Sequence, residues 1–142
     1  MAHEGKFKKV GKSKKKMYGP RKLLVCGYSG GEQLEFLSLL EEKGLSDLPV
    51  IFVTSSNTNK TLRQVLMLDD RSGQGEVSDM KRGVIMSGFT QKELHTLMTA
   101  YRGCGMPSQL WATLTPVSEN WSLTDLLDEL AAEAEAISNQ RK

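Results

Sequence analysis

The sequence predicts an α/β fold: two tandem β-α-β-α repeats forming one sheet of about four strands with packed helices, the halves related by a pseudo-twofold axis. Three observations predict it. Short apolar runs alternate with stretches of helical periodicity, as in strands joined by crossover helices. The apolar runs are continuous, as in a sheet covered on both faces. The second half also repeats the first at a constant offset of 61 residues without gaps. Gly27-Tyr28-Ser29 returns as Gly88-Phe89-Thr90, Glu32 as Glu93, Gly44-Leu45 as Gly105-Met106, and Thr54 as Thr115. Asn59-Lys60-Thr61-Leu62 returns as Asn120-Trp121-Ser122-Leu123.

The elements follow in order. Residues 1–22 lack apolar periodicity and are rich in lysine and glycine, so they are expected to form a basic disordered tail. The first repeat spans 23–68. Leu23-Leu24-Val25-Cys26 reads as a buried strand stopped by Gly27. A helix follows from Glu32 to Lys43, with Leu34, Phe36, Leu37 and Leu40 on its apolar face and Gly44 as its stop. Pro49 to Thr54 is a second buried strand, and Leu62 to Leu68 a short helix. Asp69 to Arg82 is polar and glycine-bearing, and reads as a linker. In the second repeat, 83–137, Val84-Ile85-Met86 is a strand and Glu93 to Arg102 a helix. Leu110 to Thr115 is a strand, Leu123 to Ile137 a longer helix, and 138–142 a short tail.

Composition narrows the function classes. An apolar share of 39% and a charged share of 25% suit a chain that folds around a core rather than a disordered one. No apolar stretch approaches 18 residues, so no membrane-spanning helix is expected. There is no secretory h-region, and any organelle-targeting segment is expected upstream of Met1. Cys26 and Cys104 fit no metal-ligand or redox spacing. Cys26 reads as a buried small hydrophobe and Cys104 as a loop thiol, with a disulfide between them the minor alternative.

Gly27-Tyr28-Ser29-Gly30-Gly31 matches G-x-S-x-G between a strand and a helix, the setting of a hydrolase nucleophile elbow. Asp69 or Asp70 and then His95 follow in the hydrolase order. The repeat gives a simpler account, because the second copy reads Gly-Phe-Thr with no glycines after it. Ser29-x-x-Glu32 and Thr90-x-x-Glu93 are both capping boxes, in which the hydroxyl accepts from a helix amide and the glutamate reaches back to the cap. Thr61-x-x-Gln64 and Ser122-x-x-Asp125 repeat the device, with Trp121 placed to staple onto Leu126. The cap reading also outweighs two glycosylation sequons at Asn59 and Asn120. A phosphate cradle at Gly27–Gly31 lacks the dinucleotide or Walker spacing. His95 matches Leu34 in the first copy and reads as a core or rim residue. No cofactor, metal or catalytic residue is therefore expected.

Net charge is +2, but residues 1–22 carry nine basic residues against Glu4, so the rest of the chain is acidic. Such a tail suits nucleic acid, an anionic membrane surface, an acidic protein, or solvent alone. Its only aromatics are Phe7 and Tyr18, which gives little for base stacking.

Gly88-Phe89-Thr90, Glu93-Leu94 and the run from Asn120-Trp121-Ser122 to Leu130 resemble a small family of uncharacterised domains in bacteria and plant plastids. The first copy departs from it, with Lys60 in place of the tryptophan. Land-plant members with a paired domain resemble a stromal factor for photosystem I assembly at the thylakoid surface. The resemblance implies a non-enzymatic assembly or interaction role in the chloroplast stroma, peripheral on the thylakoid. The implied partner is a photosystem subunit or another assembly factor, with contact to an anionic membrane. The alternative is an RNA-binding or ribosome-associated protein that uses the tail. Function is expected where the copies differ: at Tyr28, Trp111 and Trp121, and at Lys14, Lys15, Lys16, Arg21 and Lys22 in the tail.

Overall fold

The computed structural model describes residues 15–140, with side chains described through 137. Residues 1–14, which hold most of the expected tail and Lys14, lie outside the described residues. The elements are β1 (Lys22–Cys26), α1 (Gly30–Glu42), β2 (Val50–Phe52), α2 (Leu62–Val65), β3 (Gly83–Ser87), α3 (Gln91–Arg102), β4 (Leu110–Thr113) and α4 (Leu123–Gln140). Two short 3-10 turns, Ser55–Asn57 and Ser118–Asn120, precede α2 and α4. The helix α4 runs three residues past its expected end, into the stretch expected as a tail, whose residues 141–142 lie outside the described residues.

One sheet has the order β2-β1-β3-β4. Each half is a parallel pair, and the halves meet antiparallel through β1 and β3. The alternation of strands and helices predicts only the parallel pairs. The antiparallel seam follows from the twofold relation, because rotation about an axis normal to a sheet reverses strand direction. The register locates that axis. Leu24 faces Ile85, and these residues are the same position in the two copies. Thr61 bridges Ser122, a second self-equivalent pair. Leu24↔Ile51 in the first half is matched by Ile85↔Ala112 in the second.

Both sheet faces are covered. Leu23, Val25, Val50, Phe52, Val84 and Met86 pack with α1 and α3 through Phe36, Leu40, Leu97 and Tyr101. Leu24, Cys26, Ile51 and Ile85 pack on the other face with α2 and α4 through Leu62, Val65, Leu123 and Leu127. The expected face of α1 is shifted. Gln33, Phe36, Leu39 and Leu40 are buried, whereas Leu34 is 58% exposed. His95, its counterpart on α3, is exposed as well. Cys26 and Cys104 are free thiols on opposite sheet faces, so no disulfide joins them. Burial pushes the Cys26 thiol up to about 12.

Capping boxes hold α1, α2 and α3 as the spacing predicts: Ser29/Glu32, Thr61/Gln64 and Thr90/Glu93. At α4, Ser122 Oγ accepts from the Asp125 amide at 3.1 Å. The two capping glutamates also lock the halves together. Arg21 Nη2 lies 2.6 Å from Glu93, and Arg82 Nη1 lies 2.8 Å from Glu32. These are equivalent pairs, each reaching from one half to the cap of the other. Gly27 and Gly88 sit beside them at φ +78 and +67. A Cβ on Gly27 would fall 2.6 Å from the Met80 carbonyl oxygen, and one on Gly88 would fall 2.7 Å from the Arg21 amide. Each glycine thus lets the chain entering the partner half pass against it.

These pairs give the fold an acid limb. The Ser29 amide and then Arg82 hold Glu32 below the ordinary carboxylate range. Burial pushes Glu93 up, but the Arg21 bond and the Thr90 amide outweigh it and lower the group. Both folded values are depressed, so their stabilisation is present above the unfolded range and lost as pH falls through the folded values. Thermal melts should therefore decline below about pH 4. Glu32→Gln with Glu93→Gln should melt lower at neutral pH and flatten that decline.

Candidate functional site

The residues expected to mark function separate into distinct places. Tyr28 is 2% exposed and belongs to the core. Its ring meets Phe36 edge-on at 5.5 Å, its hydroxyl donates to Gln109 Oε1 at 2.7 Å, and Arg82 lies 3.9 Å over its face. It is therefore not a contact surface. Arg21 and Lys22 are also spent inside the molecule: Arg21 on Glu93, and Lys22 Nζ on the carbonyls of Leu66 (2.6 Å) and Leu68 (3.0 Å). Lys15 and Lys16 are exposed. The chain around them is held in place, contrary to a tail running to residue 22. Lys16 bridges Thr90, and the Met17 amide donates to the Phe89 carbonyl at 2.8 Å.

The hydrolase-like residues have separate tasks. Ser29 Oγ accepts from the Glu32 amide, and Asp70 Oδ1 accepts from the Val50 amide. His95 lines the cleft between α1 and α3. Among the described residues no hydrogen bond joins these three.

The largest difference between the copies lies at the two outer edges of the sheet. Asp69–Gln74, expected to be a polar linker, runs along β2. The Arg71 amide donates to the Val50 carbonyl at 2.6 Å, and the Phe52 amide donates to the Ser72 carbonyl at 2.8 Å. Buried Gln33 clamps the same segment, accepting from the Gly75 amide and donating to the Glu76 carbonyl. The β2 edge is thereby closed, and all three of its residues are buried.

The equivalent edge residues of β4 are Trp111 and Thr113. The amides of Leu110 and Leu114 point inward, to the carbonyls of Arg82 and Met86. Strand alternation therefore turns the amides of Trp111 and Thr113 outward. Among the described residues nothing bonds to them. Where the first copy has its covering segment, the second continues as α4. All four residues of β4 are only half-buried. An apolar groove wraps this edge, lined by Leu94, Met98, Trp111, Ala112, Leu126 and Leu130. Tyr101 holds the Trp111 ring edge-on at 5.4 Å.

A second asymmetry is a polar cleft between the halves, lined by Ser55, Thr58, Asp79, Lys81, Thr124 and Asp128. Its counterpart is filled by Tyr18 and Arg63, which both donate to the Glu119 carboxylate. The open cleft already pairs Lys81 with Asp128 at 2.8 Å. Trp121, 37% exposed, lies apart from both, beside Asp125 and Glu129. Trp111 is thus the expected aromatic that lies in the open groove.

The groove and its edge strand fall within one recognisable unit. Residues 82–137 match the family model of a domain of unknown function, DUF3783. The match covers the second copy from Arg82 through most of α4, including all of β4. Neither a curated protein nor a solved structure matches the chain. Among the described residues no helix is long and apolar enough to cross a membrane.

The edge went unread in the sequence because nothing in Leu110–Thr113 marks an open strand. The one available signal was the repeat itself: the positions matching Asp69–Gln74 are 130–135, an alanine- and glutamate-rich stretch that continues the last helix.

Proposed function

We propose that the chain is a non-enzymatic interaction factor that holds a protein partner along the outer edge of β4. One observation carries this reading. The same edge is closed by the chain's own backbone in the first copy and left open, with an apolar groove beside it, in the second. An exposed strand edge presents unpaired amides and carbonyls, which an extended segment of another protein can complete. Trp111, Met98 and Leu130 supply the pockets that such a segment needs for its side chains. The partner we propose, in keeping with the resemblance to plastid domains, is a photosystem I subunit or an assembly factor met at the stromal face of the thylakoid.

Thr113→Pro tests the reading. Proline removes the outward amide of an edge residue and leaves the inner ladder to β3 intact. Affinity purification from plastid stroma and membranes should recover a photosystem or assembly protein with the wild-type bait and lose it with Thr113→Pro, at an unchanged circular dichroism spectrum. Equal recovery by both baits would remove the edge from the account.

A further inference from the structure

The occupant of this edge can be specified further, and that step rests on the reading just given. We infer that the partner segment is an extended stretch carrying both apolar and basic residues. It adds to β4 as a strand and sets its cations against α4.

The internal copy shows what this edge accepts. On β2 the occupant is a run of turns whose backbone still meets the edge, giving the Arg71 amide to Val50 and taking the Phe52 amide on the Ser72 carbonyl. On β4 the matching groups belong to Trp111 and Thr113. The side chains required differ, because the β4 edge is flanked by apolar residues of two helices. Leu94 and Met98 of α3 stand on one side, and Leu126 and Leu130 of α4 on the other.

Charge supplies the second requirement. The helix α4 runs on beyond the sheet, and residues 132–137 are exposed. Helical spacing sets Glu133 and Ile137 in line with Leu126 and Leu130. Glu129 flanks that line, and Asp125, Asp128 and Glu135 share the helix. Lys81 pairs with Asp128, and no ion pair among the described residues engages Glu129, Glu133 or Glu135. The apolar stripe thus leaves the groove along an acidic wall. Apolar side chains on the occupant would fill the groove, and basic ones would meet Glu129 and Glu133.

The experiment titrates full-length protein with two synthetic peptides, followed by tryptophan fluorescence and calorimetry. One alternates valine with lysine, and the other alternates valine with glutamate. The lysine peptide should bind and the glutamate peptide should not. Glu129→Lys with Glu133→Lys should weaken the lysine peptide about tenfold, and Thr113→Pro should abolish its binding. Equal binding of both peptides, with loss only in Thr113→Pro, would overturn the basic partner and leave the edge reading standing. Binding unaffected by Thr113→Pro would overturn both. Two further outcomes would replace the partner with another occupant. If the lysine peptide binds only after Lys6, Lys8 and Lys9 are changed to glutamate, the chain's own N-terminal segment fills the groove. If the protein self-associates and Thr113→Pro makes it monomeric, a second copy does.

Discussion

Gly88→Ala is expected to destabilise the protein by about 3 kcal/mol, combining left-handed backbone strain with overpacking against a fixed main chain. Its Cβ would meet the Arg21 amide and the Pro20 carbonyl carbon, both at 2.7 Å. These are backbone atoms that cannot rotate away. Gly27→Ala should behave alike, because its Cβ would lie 2.6 Å from the Met80 carbonyl and 2.9 Å from the Arg82 Cα. Gly30 and Gly31 have nothing within 4 Å of an added Cβ and open α1. Alanine at either should be neutral or gain up to about 1 kcal/mol through unfolded-state entropy. Denaturant unfolding of the four variants separates two accounts of the G-x-S-x-G stretch. A fold-closing role makes Gly27 critical for stability and leaves Gly30 and Gly31 dispensable, whereas a nucleophile elbow would need Gly31 as well as Gly27 in the same strained turn.

The second large effect is at Arg82, whose side chain is 14% exposed. Its guanidinium donates to Glu32 at 2.8 Å and to the Tyr101 hydroxyl at 3.0 Å, and lies over the Tyr28 ring. Arg82→Ala should cost about 3 kcal/mol, since a partly buried carboxylate and two aromatic groups lose their common partner. Arg82→Lys should recover only part of that loss, because an ammonium cannot fork to two acceptors while stacking on a ring. Arg21→Ala should cost less. Arg21 makes the equivalent bond to Glu93 but is 24% exposed and has no ring beneath it among the described contacts. Chemical denaturation of the single and double variants with Glu32→Gln would give the coupling directly. Equal losses at Arg21 and Arg82 would contradict the difference drawn between the two seams.

Much of the fold was legible because duplication turns each half into a check on the other. The offset that aligns Gly27 with Gly88 also aligns Arg21 with Arg82 and Glu32 with Glu93. The cross-half ion pairs were therefore implicit in the sequence. They went unread because nothing in one dimension says that Arg21 faces the other copy. The capping boxes were legible because they are local and have fixed spacing. Tyr28 was misread for the opposite reason. It differs from Phe89 by one hydroxyl, and that hydroxyl serves a part-buried internal bond to Gln109 rather than a surface. Asp69–Gln74 looked like a polar linker because two of its bonds to the β2 edge are made by backbone, and the third uses the Asp70 carboxylate, whose polarity reads equally as a solvated loop. The open β4 edge is legible only by comparing the halves in space.

Amide hydrogen exchange of Trp111 and Thr113, measured in the full-length protein alone and with the captured partner, tests the interaction reading most directly. Both amides should exchange quickly in the free protein and become protected in the complex, while Val50 and Phe52 are protected in both states. Protection of Trp111 and Thr113 in the free protein, or no change on adding the partner, would contradict it.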